Sequence, residues 1–172
     1  KYDGEPWDLI TYKAKTKDTL PIVDIITLAA TGSEYDAGGV ISRTETNDKT
    51  CYSDPHLYPK VSFLDPTYTF TVSKKQTSAG IADAMNHIFE QYFCEDSTIL
   101  NDGFMEAGLK SLMINGRKCL DNPEDYNARA EMMLVCTYGC NDIYSLGNSQ
   151  SGWPCHGMEH ALSAYYDITH GE

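Results

Sequence analysis

Gly80-Ile81-Ala82-Asp83-Ala84-Met85-Asn86-His87-Ile88-Phe89-Glu90 decides how this chain is read. Each helical residue turns about 100°, so Ile81, Met85, Ile88 and Tyr92 form one apolar stripe and Asp83 and His87 share the opposite face. The period predicts one helix over 75–93. Its polar face has two readings: a solvated surface with a weak i, i+4 pair, or half of a metal site. The other half lies in Cys155-His156-Gly157-Met158-Glu159-His160, which repeats the i, i+4 spacing, with His170 fourteen residues after His156. Of the five histidines, His56 alone stands outside this pattern. One carboxylate and three imidazoles suit a transition metal. On an unbroken helix His170 would lie about 21 Å beyond His156, at ~1.5 Å per residue, so a shared ion requires a break. Asp167-Ile168-Thr169 is the expected break, and Thr169 with Glu172 has the form of a capping box opening a new helix. By spacing alone, a four-ligand site and scattered surface histidines both remain open.

The texture changes near residue 73. Before it, β-like runs over 21–30, 39–44 and 61–64 alternate with turn signals, including Thr31-Gly32-Ser33-Glu34, Asn47-Asp48 and Asp65-Pro66. After it come three further helical patterns: 98–114, stopped at Asn115-Gly116; 123–146, with Asn122 before Pro123; and, past a polar loop over 147–154, the His156 helix. The metal candidates all fall in the helical half. In the other half, Ala30-Thr31-Gly32-Ser33-Glu34 is either a plain turn or a loop exposing N–H groups to a phosphate.

The 172 residues suffice for one domain or parts of two, at an ordinary hydrophobic fraction of 41%. A net charge of -12, from 13 basic and 25 acidic residues, argues against nucleic acid and anionic membranes as partners. No run reaches the ~18 apolar residues of a membrane span, and the start has no signal-peptide pattern. The six cysteines have no CxxC pair and read as buried, reduced thiols of a cytoplasmic protein. Cys136 and Cys140 are spaced as ligands, but Met132, Met133, Leu134 and Val135 beside them favour core packing.

Thr27-Leu28-Ala29-Ala30-Thr31-Gly32-Ser33-Glu34, Leu64-Asp65-Pro66, the Gly80–His87 string with Glu90, and His156-x3-His160-x9-His170 together resemble the iron-containing (group III) alcohol dehydrogenase family. The likeness is to its butanol dehydrogenase and NADPH-dependent aldehyde reductase branch, from about residue 7 onward. It implies an α/β plus all-α fold of dehydroquinate synthase-like architecture. Residues 1–72 would end a Rossmann-like cofactor domain, and 73–172 would begin an all-helical metal-binding domain. It also implies Asp83, His87, His156 and His170 as ligands of Fe(2+) or Zn(2+). His160 would be a catalytic proton-relay or substrate-orienting group, and Thr27, Thr31, Lys49 and Tyr68 would bind NADP or NAD.

The implied reaction moves hydride between the nicotinamide ring and a primary alcohol or aldehyde, with the ion lowering the alcohol's pKa and polarising the carbonyl. Four protein ligands would close a tetrahedral zinc site, so catalysis needs a fifth position, open to Fe(II) or expanded zinc. Trp153, Met158 and Tyr144 are candidate pocket residues or plain core. Asp36 stands where the branch suggests an amide-type residue, and its charge would repel phosphate unless it is protonated or turned away. The family's Gly-Gly-Gly-Ser pyrophosphate loop has no equivalent here, and the sequence stops two residues after His170. The expectation is therefore an internal piece of a homodimeric dehydrogenase. The alternatives are a metal-binding helical module without dehydrogenase activity, or a zinc polyol dehydrogenase of glycerol type.

Overall fold

The chain is described by a computed structural model covering residues 2–149 and 152–172. Among the described residues, four strands precede four long helices. A short helix α1 (Pro6–Ile10) leads to β1 (Val23–Ile25), the hairpin β2 (Gly38–Arg43) and β3 (Asp48–Ser53), and β4 (Val61–Phe63). The long helices are α2 (Lys74–Tyr92), α3 (Ile99–Asp121), α4 (Tyr126–Cys140) and α5 (Pro154–Tyr166). β1 and β4 pair in parallel, and β2 and β3 are antiparallel from Gly38 opposite Ser53 to Arg43 opposite Asp48. Strand β3 is absent from the sequence reading, which stopped at the turn residues Asn47-Asp48. Asn47 takes a left-handed φ of 54° there, and the chain turns back as a hairpin. The run expected over 21–30 shortens to three strand residues, because the chain leaves the pair after Ile26 bonds the Phe63 carbonyl at 3.0 Å.

The stripe of α2 faces the core as its period requires. Ile88 and Ala84 are fully enclosed among Met105, Leu112 and Cys119 of α3, Ala128, Met132, Val135 and Cys136 of α4, and Tyr144. The opposite face is not solvated: Asp83 and His87 are each 4% exposed. Among the described residues, no helix is long and apolar enough to cross a membrane.

Three helix limits differ from the sequence reading. Helix α3 runs through Asn115-Gly116 instead of stopping there. Asn115 bonds Ser111 within the helix at 3.1 Å, and Gly116 is where Ile81 of α2 makes its close approach. Helix α4 starts at Tyr126, capped by Asp125, which accepts from the Ala128 N–H at 3.0 Å; the Pro123 carbonyl is taken by buried Arg129 at 2.9 Å. It ends at Cys140, since Asp142 adopts a left-handed φ of 63°. Only two cysteines, Cys119 and Cys136, are buried; Cys51 and Cys155 are exposed, and all six are free.

Helix α5 begins at Pro154, the residue expected to end the preceding loop; residues 150 and 151 of that loop lie outside the described residues. Its first residue follows Trp153, which offers no side-chain cap. Glu90 of α2 supplies one across the helix interface, accepting from the N–H groups of Cys155 and, at 3.4 Å, His156. At the other end Asp167 takes a left-handed φ of 51°, which makes the required break. No new helix opens at Thr169: residues 169–172 form a turn in which the Glu172 N–H donates to the Thr169 carbonyl at 3.0 Å. Gly171 has a φ of +82° and lies against the Ala79 carbonyl of α2, where a Cβ would collide.

These contacts have measurable consequences. Gly116→Ala leaves the melting temperature within about 2 °C, because a helix-propensity gain of about 1 kcal/mol offsets contact with the flexible tip of Ile81. Gly116→Leu overpacks the same spot, costs about 1–3 kcal/mol and lowers the midpoint by about 2–4 °C per kcal/mol. Glu90→Ala removes the cap of α5 and lowers stability in denaturant titration by about 1–3 kcal/mol, with Glu90→Gln losing less; unchanged stability in Glu90→Ala would refute the cap.

Candidate metal centre

Helical spacing sets Asp83, His87 and Glu90 on one face of α2, turned toward α5. From α5 come His156, Glu159, His160 and Ser163, and the turn after Asp167 returns His170 to the same place. The Nε2 atoms of three imidazoles surround one carboxylate oxygen: His170 lies 3.0 Å, His87 3.5 Å and His156 3.6 Å from Asp83 Oδ1. Each of the four residues offers one ligand atom within 4.8 Å of all the others. The rings of His87 and His156 stack at 4.7 Å, and Trp153 meets both edge-on, at 5.8 and 5.1 Å.

The outer nitrogens of two rings are fixed by carboxylates. His156 Nδ1 bonds Glu90 and also lies 3.1 Å from the Asn86 amide, while His170 Nδ1 bonds Glu159 Oε2 at 2.6 Å. A carboxylate behind an imidazole selects the tautomer whose other nitrogen is free to ligate. His156 Nε2 and His87 Nδ1 are buried without a hydrogen-bond partner among the described residues. His87 faces Asp83 with its other nitrogen, but His156 Nε2 is aimed at the carboxylate, and such an orphaned atom is costly unless something bridges the pair. For ligand bonds of about 2.0–2.2 Å a tetrahedron has edges of about 3.3–3.6 Å, close to the three distances to Asp83 Oδ1, and the remaining separations are within 4.8 Å. The donor set therefore fits a divalent transition metal ion.

The same packing sets the charge states of the four residues. Burial works against charge on Asp83, but the imidazoles of His156, His170 and His87 outweigh it and hold the carboxyl well below the usual range. Burial pushes His87 down to about 4, so it is neutral at pH 7. His156 is raised, since the Asp83 and Glu90 carboxylates overcome its burial, and Asp83 raises His170 against its burial. Cys136 and Cys140 take no part: burial raises both thiols, Cys140 to about 12.

His160 stands apart from the four. Its Nδ1 is 3.6 Å from Cys51 Sγ and its Nε2 3.7 Å from Glu159; with Glu159 and His170 it forms a second, overlapping group. Burial and the Lys49 charge lower its pKa. Thr27 and Thr31, both exposed, follow β1, and Tyr68, 52% exposed, follows β4. Tyr68 shares a pocket with Ile25 and Phe63, the last residues of β1 and β4. Lys49 is turned to α5, where its Nζ lies 3.3 Å from Glu159 and 2.5 Å from Ser163 Oγ. Asp36 accepts from the Gly38 N–H at 2.6 Å, and burial raises its carboxyl above the usual range.

The loop Thr31–Glu34 packs down, with Glu34 buried and accepting from Thr137 of α4. Of the pocket candidates, Tyr144 belongs to the core and Met158 is 64% exposed, so only Trp153 borders the cluster. The sequence reading gave no role to Glu159 and none beyond resemblance to Glu90. Their signals were the helical offsets from His156 and Asp83.

Residues 77–172 match the family described as Fe-containing alcohol dehydrogenase family, C-terminal, and residues 1–66 match Iron-containing alcohol dehydrogenase. NADH-dependent butanol dehydrogenase A of Clostridium acetobutylicum is 48% identical over 99% of this chain and 44% of its own length. The NADPH-dependent aldehyde reductase of Escherichia coli is 36% identical over 98% of this chain and 44% of its own. The crystal structure of NADH-dependent butanol dehydrogenase A from Thermotoga maritima superposes with a TM-score of 0.96 at 38% identity, covering 99% of this chain and 43% of that one. The chain thus spans about 44% of the length of the curated relatives it matches. With family matches over both the strand-rich and the helical part, and a fold shared with a solved butanol dehydrogenase, the chain belongs to the iron-containing alcohol dehydrogenase family.

Proposed function

We propose that this chain carries the metal centre of a longer NAD(P)H-dependent alcohol dehydrogenase or aldehyde reductase acting on primary alcohols and their aldehydes. Residues 1–72 contribute to the cofactor domain and 73–172 to the metal domain. The observation that carries the reading is the convergence of His87, His156 and His170 Nε2 on Asp83 Oδ1, 3.0–3.6 Å away, at a buried position. These four residues hold Fe(2+) or Zn(2+). When bound, such an ion supplies Lewis acidity to an alcohol or carbonyl oxygen.

The chain's own residues do the rest. Thr27, Thr31 and Tyr68, which follow β1 and β4 in the chain, orient the nicotinamide cofactor. Trp153, edge-on to His87 and His156, keeps water from that side of the cluster. Oxidation of an alcohol by NAD(P)+ gives aldehyde, NAD(P)H and one proton. His160, whose imidazole is held mainly neutral, accepts that proton and returns it in the reverse direction.

The test uses the complete protein. Elemental analysis is expected to find about one divalent ion per chain, lost in His170→Ala, together with butanal-dependent oxidation of NADH or NADPH. Stoichiometric metal in His170→Ala would refute the ligand assignment. Because His156 and His170 hold protons more tightly than an ordinary imidazole and must shed them to ligate, apparent metal affinity falls as the pH is lowered through that raised range. Chelator competition at several pH values reads this directly, and an affinity that is flat or rises toward acid contradicts it.

A further inference from the structure

Of the four candidate ligands, His170 is the least secured by its own backbone. It sits on a turn, not a helix, and its side chain is 28% exposed, against 11% or less for the other three. Its Nδ1 is nevertheless held at 2.6 Å by Glu159, and Glu159 is gripped in turn: Lys49 Nζ lies 3.3 Å from each of its carboxylate oxygens. The Lys49 side chain is 13% exposed and also bonds buried Ser163 at 2.5 Å. Lys49 reaches α5 because alternate residues of β3 share a face, and Cys51, two residues on, meets His160 from the same side. An ammonium so engaged clamps a carboxylate.

Building on the metal-centre reading, we propose that Glu159, clamped by Lys49 and Ser163, is a positioning residue that fixes His170 in the tautomer whose Nε2 lone pair faces Asp83, and that the β2–β3 hairpin thereby governs metal affinity. Carboxylates behind ligating imidazoles orient the ring and raise its basicity, and losing one typically costs 10–100-fold in metal affinity.

The experiment compares the complete wild-type protein with Glu159→Ala, Glu159→Gln, Lys49→Met, the Glu159→Ala/Lys49→Met double variant and His170→Ala. Readouts are the zinc dissociation constant by chelator competition and the visible spectrum of the Co(2+)-substituted protein. Glu159→Ala is expected to weaken binding roughly 10–100-fold and to shift the Co(2+) bands. Glu159→Gln, whose amide oxygen still accepts from Nδ1, recovers most of the affinity. Lys49→Met weakens binding in the same direction, and the double variant is no worse than Glu159→Ala, as expected for residues acting in series. If Glu159→Ala does not fold, Glu159→Gln and Lys49→Met carry the comparison. Wild-type affinity and spectrum in Glu159→Ala, or strictly additive losses in the double variant, would overturn the inference alone. A wild-type protein that holds no metal would overturn the metal-centre reading, and this inference with it.

Discussion

Asp83 is a carboxylate in the middle of a buried helix, 4% exposed, and the helical half is arranged around that fact. A lone buried charge of this kind is strongly destabilising unless it is paired. Its charged partners cannot all come from its own helix, where His87 is the one ionisable residue within a turn of it. The others are delivered by α5 and by the turn beyond it, so the docking of α5, the break at Asp167 and the conformation of Gly171 all serve one oxygen atom. Glu90 extends the arrangement, since the carboxylate that caps α5 also holds the ring of its first histidine.

The core on the other side of α2 makes this arrangement possible. Ile88 and Ala84 are sealed by α3 and α4, and the small Gly116 lets Ile81 approach α3 closely. Helix α2 is therefore a fixed rail between an apolar layer and a polar cluster. Fully burying a side chain such as Ile88 contributes about 1.5–3 kcal/mol, and several such contacts offset the cost of holding ionisable groups together on the opposite face.

The apolar stripe of α2 and the need for a break before His170 were both legible in the sequence, because helical periodicity and rise per residue are local geometry. The convergence of Asp83, His87, His156 and His170 was legible only as spacing plus resemblance. Burial of the polar face depends on α5, seventy residues further on, and no local pattern encodes it. Asn115-Gly116 misled because a glycine required by packing looks the same as one that ends a helix. Pro123 misled because Arg129, not a helical turn, satisfies its carbonyl. Strand β3 was hidden by its polar residues, yet two of them, Lys49 and Cys51, face α5 for that reason. A polar strand can be a contact face when its partner is charged.

The charges around the cluster explain why histidines adapt and carboxylates do not. Asp83 and Glu90 are almost wholly enclosed, and Glu159 is three-quarters so, with Lys49 the neighbouring cation against Glu159. With only that ammonium present, two negative charges lack a counterpart. The raised affinity of His156 and His170 for protons is the response, since each lies between two of these carboxylates. A divalent cation at the proposed site would supply the same two charges, with every imidazole neutral. The three acids, the ammonium and the ion then sum to zero. Protons on His156 and His170 and the proposed metal would thus be alternative occupants of one electrostatic position, with Glu90 behind one imidazole and Glu159 behind another in either case.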